Sequence, residues 1–254
     1  MRTCHLALVV EYDGTGFSGW QVQPGQRTVQ GVLEEAFSDL TGARVRVTGA
    51  GRTDAGVHAL AQVATATIDS KLTPEAVAAA VNARLGDDVR IHRATPVSAG
   101  FHPRHDAVAR SYTYLIGLTE SPLWKARRWF VRGEIDVDAM RGALPPLQGD
   151  RDFRSFELAG SDPGHEHRCH VTAVRLEWID QHGGMIRFDI ESNRFLRGMV
   201  RSIVGTLVEV GRRKYTADDI EQIVAARDRS RAGPTAPPWG LYLTGVRYNR
   251  EVRI

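Results

Sequence analysis

The order of hydrophobic patterns constrains this chain most, because the same order is read twice along it. In the first half a continuous apolar run, residues 6–10, ends near Glu11-Tyr12-Asp13-Gly14 and predicts a buried strand. Thr28 is placed to cap a helix reaching about Leu40. Val29, Leu33, Ala36, Phe37 and Leu40 fall at helical spacing, and Thr41-Gly42 stops it. A short alternating strand over residues 44–48 and a longer one over 59–69 follow. Thr73-Pro74-Glu75 opens a second helix, with proline at the first helical position, where its missing N–H is no loss. That helix runs to about Leu85, and a strand covers residues 89–97.

The second half repeats the order. Residues 110–118 read as a strand, and Asp136 caps a helix with Val137, Met140, Leu144 and Leu147 on one face. Strands near 169–180 and 184–192 flank Gln181-His182-Gly183-Gly184, a hairpin turn. Helices are predicted over about 194–210 and 216–227, and residues 241–248 supply a last strand. Each half therefore reads strand, helix, two strands, helix, strand, without a residue repeat behind it. The predicted class is α+β: two ferredoxin-like, or RRM-like, halves with mainly antiparallel sheet and flanking helices. The halves are residues 1–105 and 106–254, joined within 98–106, where a proline and several histidines interrupt the periodicity.

With 42% apolar and 25% charged residues the chain can bury a core, which excludes global disorder. No apolar run approaches the roughly 20 residues that span a bilayer, so no membrane partner is expected. The start lacks a signal peptide's apolar stretch, and Cys4 and Cys169 are too few for a disulfide framework. The expected location is the cytoplasm. Lys71, Lys125 and Lys214 are the only lysines among 33 basic side chains. Arginine forks onto phosphates and stacks on bases, which suits RNA; GC-rich coding accounts equally for the same bias.

The most unusual stretch is Gly49-Ala50-Gly51-Arg52-Thr53-Asp54-Ala55-Gly56-Val57-His58, between two strand patterns. Its glycines permit tight turns and close approach of a ligand. An ionised, exposed carboxylate held there can act as nucleophile or general base, and a neighbouring arginine favours the ionised form. Spacing alone leaves a surface hairpin with a solvated Arg-Asp pair open, and no helix opens after the glycines as a phosphate loop requires.

Arg52-Thr53-Asp54-Ala55-Gly56-Val57-His58 resembles the active-site motif of the TruA family of tRNA pseudouridine synthases. The resemblance continues in Glu11-Tyr12-Asp13-Gly14, Gly19-Trp20-Gln21, Thr28-Val29-Gln30, Phe101-His102 and Ala109-Arg110-Ser111-Tyr112-Thr113-Tyr114. It extends to Phe195, Met199-Val200-Arg201, Gly205-Thr206-Leu207 and Gly240-Leu241-Tyr242-Leu243, in order over nearly the whole chain. Where the family has Phe-His-Ala-Arg, this chain has Pro103, which removes a backbone donor.

The resemblance implies a pseudouridine synthase fold and conversion of uridine to pseudouridine in the tRNA anticodon stem-loop. The implied enzyme is a homodimer that uses no metal and no organic cofactor. Asp54 is implied as the nucleophile that enables cleavage of the N1–C1′ bond and reattachment through C5; attack at C1′ and at C6 both remain open. Arg52 would help extrude the target nucleotide and fill its place, Tyr112 would meet the flipped uracil, and Arg201 would pair with Asp54. Base extrusion is required because a stacked nucleotide hides its glycosidic bond.

The helix expected from Arg194 would align Arg194, Arg197 and Arg201 along one face, with Leu196, Val200, Ile203 and Leu207 on another. Arg194, Arg197 and Arg110 are the further candidates for RNA contact. Tyr112, Tyr114 and Arg110 share one strand face, for which core packing is the ordinary reading of the residues alone and a site the one the resemblance implies for Tyr112. His165-Glu166-His167-Arg168-Cys169-His170 lacks zinc-ligand spacing and reads as a polar loop entering a strand. Two rivals are a catalytically inactive tRNA-binding protein or RNA chaperone, and a carboxylate-based nucleosidase. The nucleosidase would need a second carboxylate near Asp54, and none is evident in the sequence.

Overall fold

The computed structural model describes residues 2–160, 164, 166–180 and 183–249. Its strands and helices, in chain order, are β1 (Arg2–Tyr12), α1 (Val29–Thr41), β2 (Val47–Gly49), β3 (His58–Ser70), α2 (Pro74–Asn82), β4 (Val89–Pro96), β5 (Ala107–Gly117), β6 (Trp129–Phe130), α3 (Val137–Gly142), β7 (Gly149–Asp152), β8 (Arg168–Ile179), β9 (Met185–Ser192), α4 (Met199–Gly211), α5 (Ala217–Ala226) and β10 (Leu241–Tyr248). The arrangement is α+β, a mixed sheet with flanking helices. Two compact units divide it, one within residues 1–108 and 242–254, the other within 109–241.

In the first unit β1 runs antiparallel between β3 and β4, β2 pairs antiparallel with β3, and β10 pairs in parallel with β3. Within the apolar run of β1, Leu6, Ala7, Leu8 and Val10 are buried and Val9 is half-buried. Thr28 caps α1 as expected, its side chain accepting from the Gly31 N–H, and Gly42 ends it at φ +69°. The register of β1 on β3 shifts between Val10 and Tyr12. The extra residue lies on β3, and Tyr12 continues the buried face of Leu8 and Val10. Residues 98–106 are a run of turns inside the first unit: the Phe101 ring packs edge-on to Tyr248, whose hydroxyl donates to the Pro103 carbonyl at 2.7 Å. Pro103 has lost a donor, yet its carbonyl is put to use.

In the second unit the strand order is β5-β9-β8-β7, all antiparallel, with β6 parallel to β5. The short strands β6 and β7 escape the pattern reading because runs of two and four residues carry no periodicity. Two expected helices are shorter than their apolar spacing predicts. α3 ends at Gly142, and Pro145–Leu147 forms a separate 3-10 turn; the two prolines cannot donate to the preceding turn. Leu144 and Leu147 are buried all the same. α4 begins at Met199, not near Arg194, because Gly198 sits at φ +66° and the Leu158 side chain occupies the space a Cβ would need, 2.4 Å away. Arg194 and Arg197 therefore precede the helix, and the predicted stripe of three arginines on one helix face does not exist. α5 carries a capping box between Thr216 and Asp219. Of the hairpin turn between β8 and β9, Gln181 and His182 lie outside the described residues, while Gly183 and Gly184 both have positive φ.

Candidate active site

The loop that carries Asp54 is held by the segment that follows β1. The Thr53 carbonyl accepts from the Trp20 N–H at 3.0 Å, and the Thr53 hydroxyl meets the buried Tyr12 hydroxyl at 2.7 Å. The Val57 N–H donates to the Asp54 carbonyl at 3.1 Å and closes a turn around Ala55-Gly56, with Gly56 at φ +77°. Two glycines make this seat possible. A Cβ on Gly14 would lie 2.0 Å from the Val57 carbonyl oxygen, and one on Gly19 would lie 2.7 Å from the Thr53 carbonyl oxygen. Thr53 and Val57 are buried, Asp54 between them is half-buried, and Arg52 is exposed. The outcome is a carboxylate on a rigid turn, with a guanidinium two residues earlier facing solvent.

His58, at the end of the loop, is buried and stacked on Tyr242, ring centroids 4.7 Å apart. Its Nδ1 takes the Gly14 N–H at 3.1 Å and stands 3.1 Å from an Asp13 carboxylate oxygen. The Gln62 amide donates to the Gly51 carbonyl at 2.8 Å from the opposite flank. Sequence reasoning noted the Tyr12-Asp13-Gly14 and Gly19-Trp20 segments without a role; their role is to seat the motif.

The remaining candidates lie in the second unit. Tyr112 is half-buried on β5, its ring edge-on to Phe195 at 5.0 Å. Tyr114, two residues on, is fully buried, and its hydroxyl donates to the Pro237 carbonyl at 2.8 Å. Burial pushes the Tyr114 phenol far above its usual range, the charge of Arg201 offsetting part of this, so it stays a hydrogen-bond donor at any ordinary pH. Tyr114 is thus a core residue, whereas Tyr112 keeps an accessible ring.

Arg201 is the one residue of α4 that is not buried. Its Nε donates to the Ala236 carbonyl at 2.7 Å, and Ala236 N–H donates back to the Arg201 carbonyl at 3.0 Å. Arg110 donates to the Asn193 carbonyl at 2.9 Å, and Arg197 to the Ala159 carbonyl at 2.7 Å. Arg194 pairs with Glu166 at 3.3 Å. In the polar segment before β8, His167 meets Glu157 at 2.8 Å and Cys169 is buried as the strand begins; His165 lies outside the described residues. Among the described residues no group of three His, Cys, Asp or Glu side chains is disposed to hold a metal ion, and no helix is long and apolar enough to cross a membrane.

A family model described as tRNA pseudouridine synthase matches residues 8–106 and 143–249, which include Asp54 and Arg201. Proteins named tRNA pseudouridine synthase A are similar over nearly their whole length. The one from Geobacter sulfurreducens is 42% identical over 250 residues, covering 98% of this chain and 100% of that protein. That from Acetivibrio thermocellus is 42% identical over 246 residues, 96% of this chain and 99% of its own. That from Chloroflexus aurantiacus is 42% identical over 252 residues, 98% and 89% respectively.

Proposed function

This chain belongs to the tRNA pseudouridine synthase family, and from that membership we propose that it isomerises uridine to pseudouridine in tRNA with Asp54 as its nucleophile. The observation that carries the assignment of Asp54 is its mounting. The turn is bonded on its amino-terminal side through Thr53 to Trp20 and Tyr12 and closed on the other by Val57, so the carboxylate is placed without being buried. A nucleophile needs that combination, since its value depends on orientation.

In the proposed reaction the N1–C1′ bond breaks, the uracil turns, and a C5–C1′ bond forms. The hydrogen on C5 leaves as a proton while N1 gains one, so the sum is an isomerisation. The target base must leave its stack, at a cost of a few kcal/mol. Arg52 is the residue we assign to fill the vacated place, because it is exposed and adjacent in the loop. Tyr112 would offer its ring to the flipped uracil, and Arg201 would keep the Asp54 carboxylate ionised. Arg110, Arg194 and Arg197 are proposed phosphate contacts. The substrate region would be the anticodon stem-loop, the working form a homodimer, and the location the cytoplasm. The ferredoxin-like reading of the halves is supported in the first unit by the strand order β4-β1-β3-β2.

The test is tritium release from tRNA labelled at uridine C5, comparing the protein with its Asp54→Ala variant. Release by the wild type alone is the expected result. Equal release by the variant would remove Asp54 from the chemistry; tRNA bound without release by the wild type would favour a binding protein.

A further inference from the structure

We propose that Arg229 is a positioning residue that fixes the place of Arg201 through the loop formed by residues 232–236. This rests on the reading above that Arg201 serves the Asp54 carboxylate. The Arg201 Nε donates to the carbonyl of one loop residue, Ala236, whose N–H donates to the Arg201 backbone carbonyl, so the place of the loop bears directly on the place of the Arg201 head. The loop has no helix or strand hydrogen bonds of its own over residues 233–237. Its position depends on outside partners.

One set of partners is the buried polar side of α4. The Gly233 N–H donates to the Thr206 hydroxyl at 3.0 Å, and the Ser202 and Thr235 hydroxyls stand 3.5 Å apart. Gly205 has no room for a side chain, since a Cβ would lie 1.7 Å from the Pro234 carbonyl oxygen. A further partner is Arg229. Its Nη1 donates to the Gly233 carbonyl at 3.0 Å and to the Ala232 carbonyl at 3.4 Å, and its Nη2 donates to the Thr235 hydroxyl at 2.8 Å. One planar fork thus holds three acceptors spread over four consecutive residues, a geometry the single ammonium of lysine cannot reproduce.

Two further facts mark Arg229 as built in. Its Nε is buried with no hydrogen-bond partner, a penalty that a side chain turned to solvent would avoid. The backbone beneath it is anchored as well: the Asp228 N–H donates to the buried Ser155 hydroxyl at 2.9 Å, and Ser155 donates to the Ile223 carbonyl at 2.5 Å. The chain of contacts Ser155, Asp228, Arg229, loop, Arg201 lies wholly within the second unit. It links the end of α5 to the half-buried cation of α4.

The test is a double-mutant cycle read by single-turnover tritium release, with tRNA affinity and thermal midpoint measured for each protein. Arg229→Met should lower the rate about tenfold, because displacement by a fraction of an ångström is felt in catalysis. Its tRNA Kd should stay within about twofold of wild type, a loss in the chemical step and not in binding. In an Arg201→Ala background the same substitution should cost less than about twofold more, since the group it positions is gone. Arg229→Lys should recover part of the rate. Equal losses in both backgrounds, or no loss in the wild-type background, would overturn the proposal. Should Arg229→Met fail to fold, Thr235→Val removes one of the three acceptors and is held to the same criteria. An Arg201→Ala variant with the wild-type rate would overturn it through Arg201, whereas absence of release by the wild type would instead remove the synthase reading.

Discussion

Replacing Gly19 with alanine sets one methyl group against the backbone that carries Asp54. Gly19 has φ +94°, and the new Cβ would lie 2.7 Å from the Thr53 carbonyl oxygen and 3.3 Å from the Asp54 carbonyl carbon. Both are backbone atoms, so the loop itself has to shift. The left-handed conformation costs alanine about 1–2 kcal/mol. Moving the Thr53 carbonyl off the Trp20 N–H, now at 3.0 Å, forfeits roughly 0.5–1.5 kcal/mol more. The sum, about 1.5–3.5 kcal/mol, corresponds to a Tm lower by roughly 3–14 °C for a chain near this size. The rate should suffer beyond the stability, because a nucleophile moved by about 1 Å can lose on the order of 100-fold. Gly25→Ala is the matched control: its φ is +70°, yet nothing lies within 4 Å of the new Cβ. It should lower Tm by the conformational cost alone and leave turnover unchanged. Melting curves and single-turnover tritium release, taken well below both midpoints, decide the matter. Wild-type turnover in Gly19→Ala, or an equal loss in Gly25→Ala, would refute the claim that Gly19 seats the loop.

Two other outcomes follow from the core and the surface. Tyr114→Phe keeps the buried ring but takes the donor from the Pro237 carbonyl, so it should cost about 1–2 kcal/mol; a urea midpoint that falls with m unchanged is the expected signature, and an unmoved midpoint would sink the idea. Burial raises the Glu209 carboxyl, but Lys214 at 2.6 Å and Arg212 at 2.8 Å outweigh it and hold the group below its ordinary 4.5. A depressed folded-state pKa stabilises above the unfolded value and loses that stabilisation as pH falls through the folded one. Tm should therefore drop in acid below about pH 4.5, where protonation begins, and Glu209→Gln should flatten that drop; an unchanged slope would show the ion pairs to be idle.

Much of this was legible because it is written locally. Thr28 and Gly42 bracket α1, Thr73-Pro74 opens α2, and Thr216 opens α5, since a cap depends on residues three or four apart. The last strand was read to the residue. The start of α4 failed because a distant partner decided it. Nothing around Gly198 contradicts a helix from Arg194, because Leu196, Val200, Ile203 and Leu207 keep the period; the Leu158 side chain fills the place of its missing Cβ. On β5 the alternation places Tyr112 and Tyr114 on the same face correctly. Only tertiary contacts separate them, Pro237 and Gly240 closing over Tyr114 while Phe195 leaves Tyr112 part of its surface.

The motif around Asp54 shows the same division. Its residue types and its family were readable from the chain, because short-range chemistry and ordered resemblance both survive in one dimension. Why it needs Tyr12, Gly14, Gly19 and Trp20 was not, since those residues lie more than 30 positions away and meet it only after β1 and β3 pair. Likewise α4 announced its apolar period by itself, while the bonding of Arg201 to Ala236, and of Arg229 to the loop between them, required α4, α5 and the loop to be packed together. Sequence determined the elements, their caps and the chemistry on offer, which depend on neighbours along the chain. Tertiary structure decided which side chains are held and which are left to act, because burial and hydrogen-bond geometry between remote segments exist only once those segments touch.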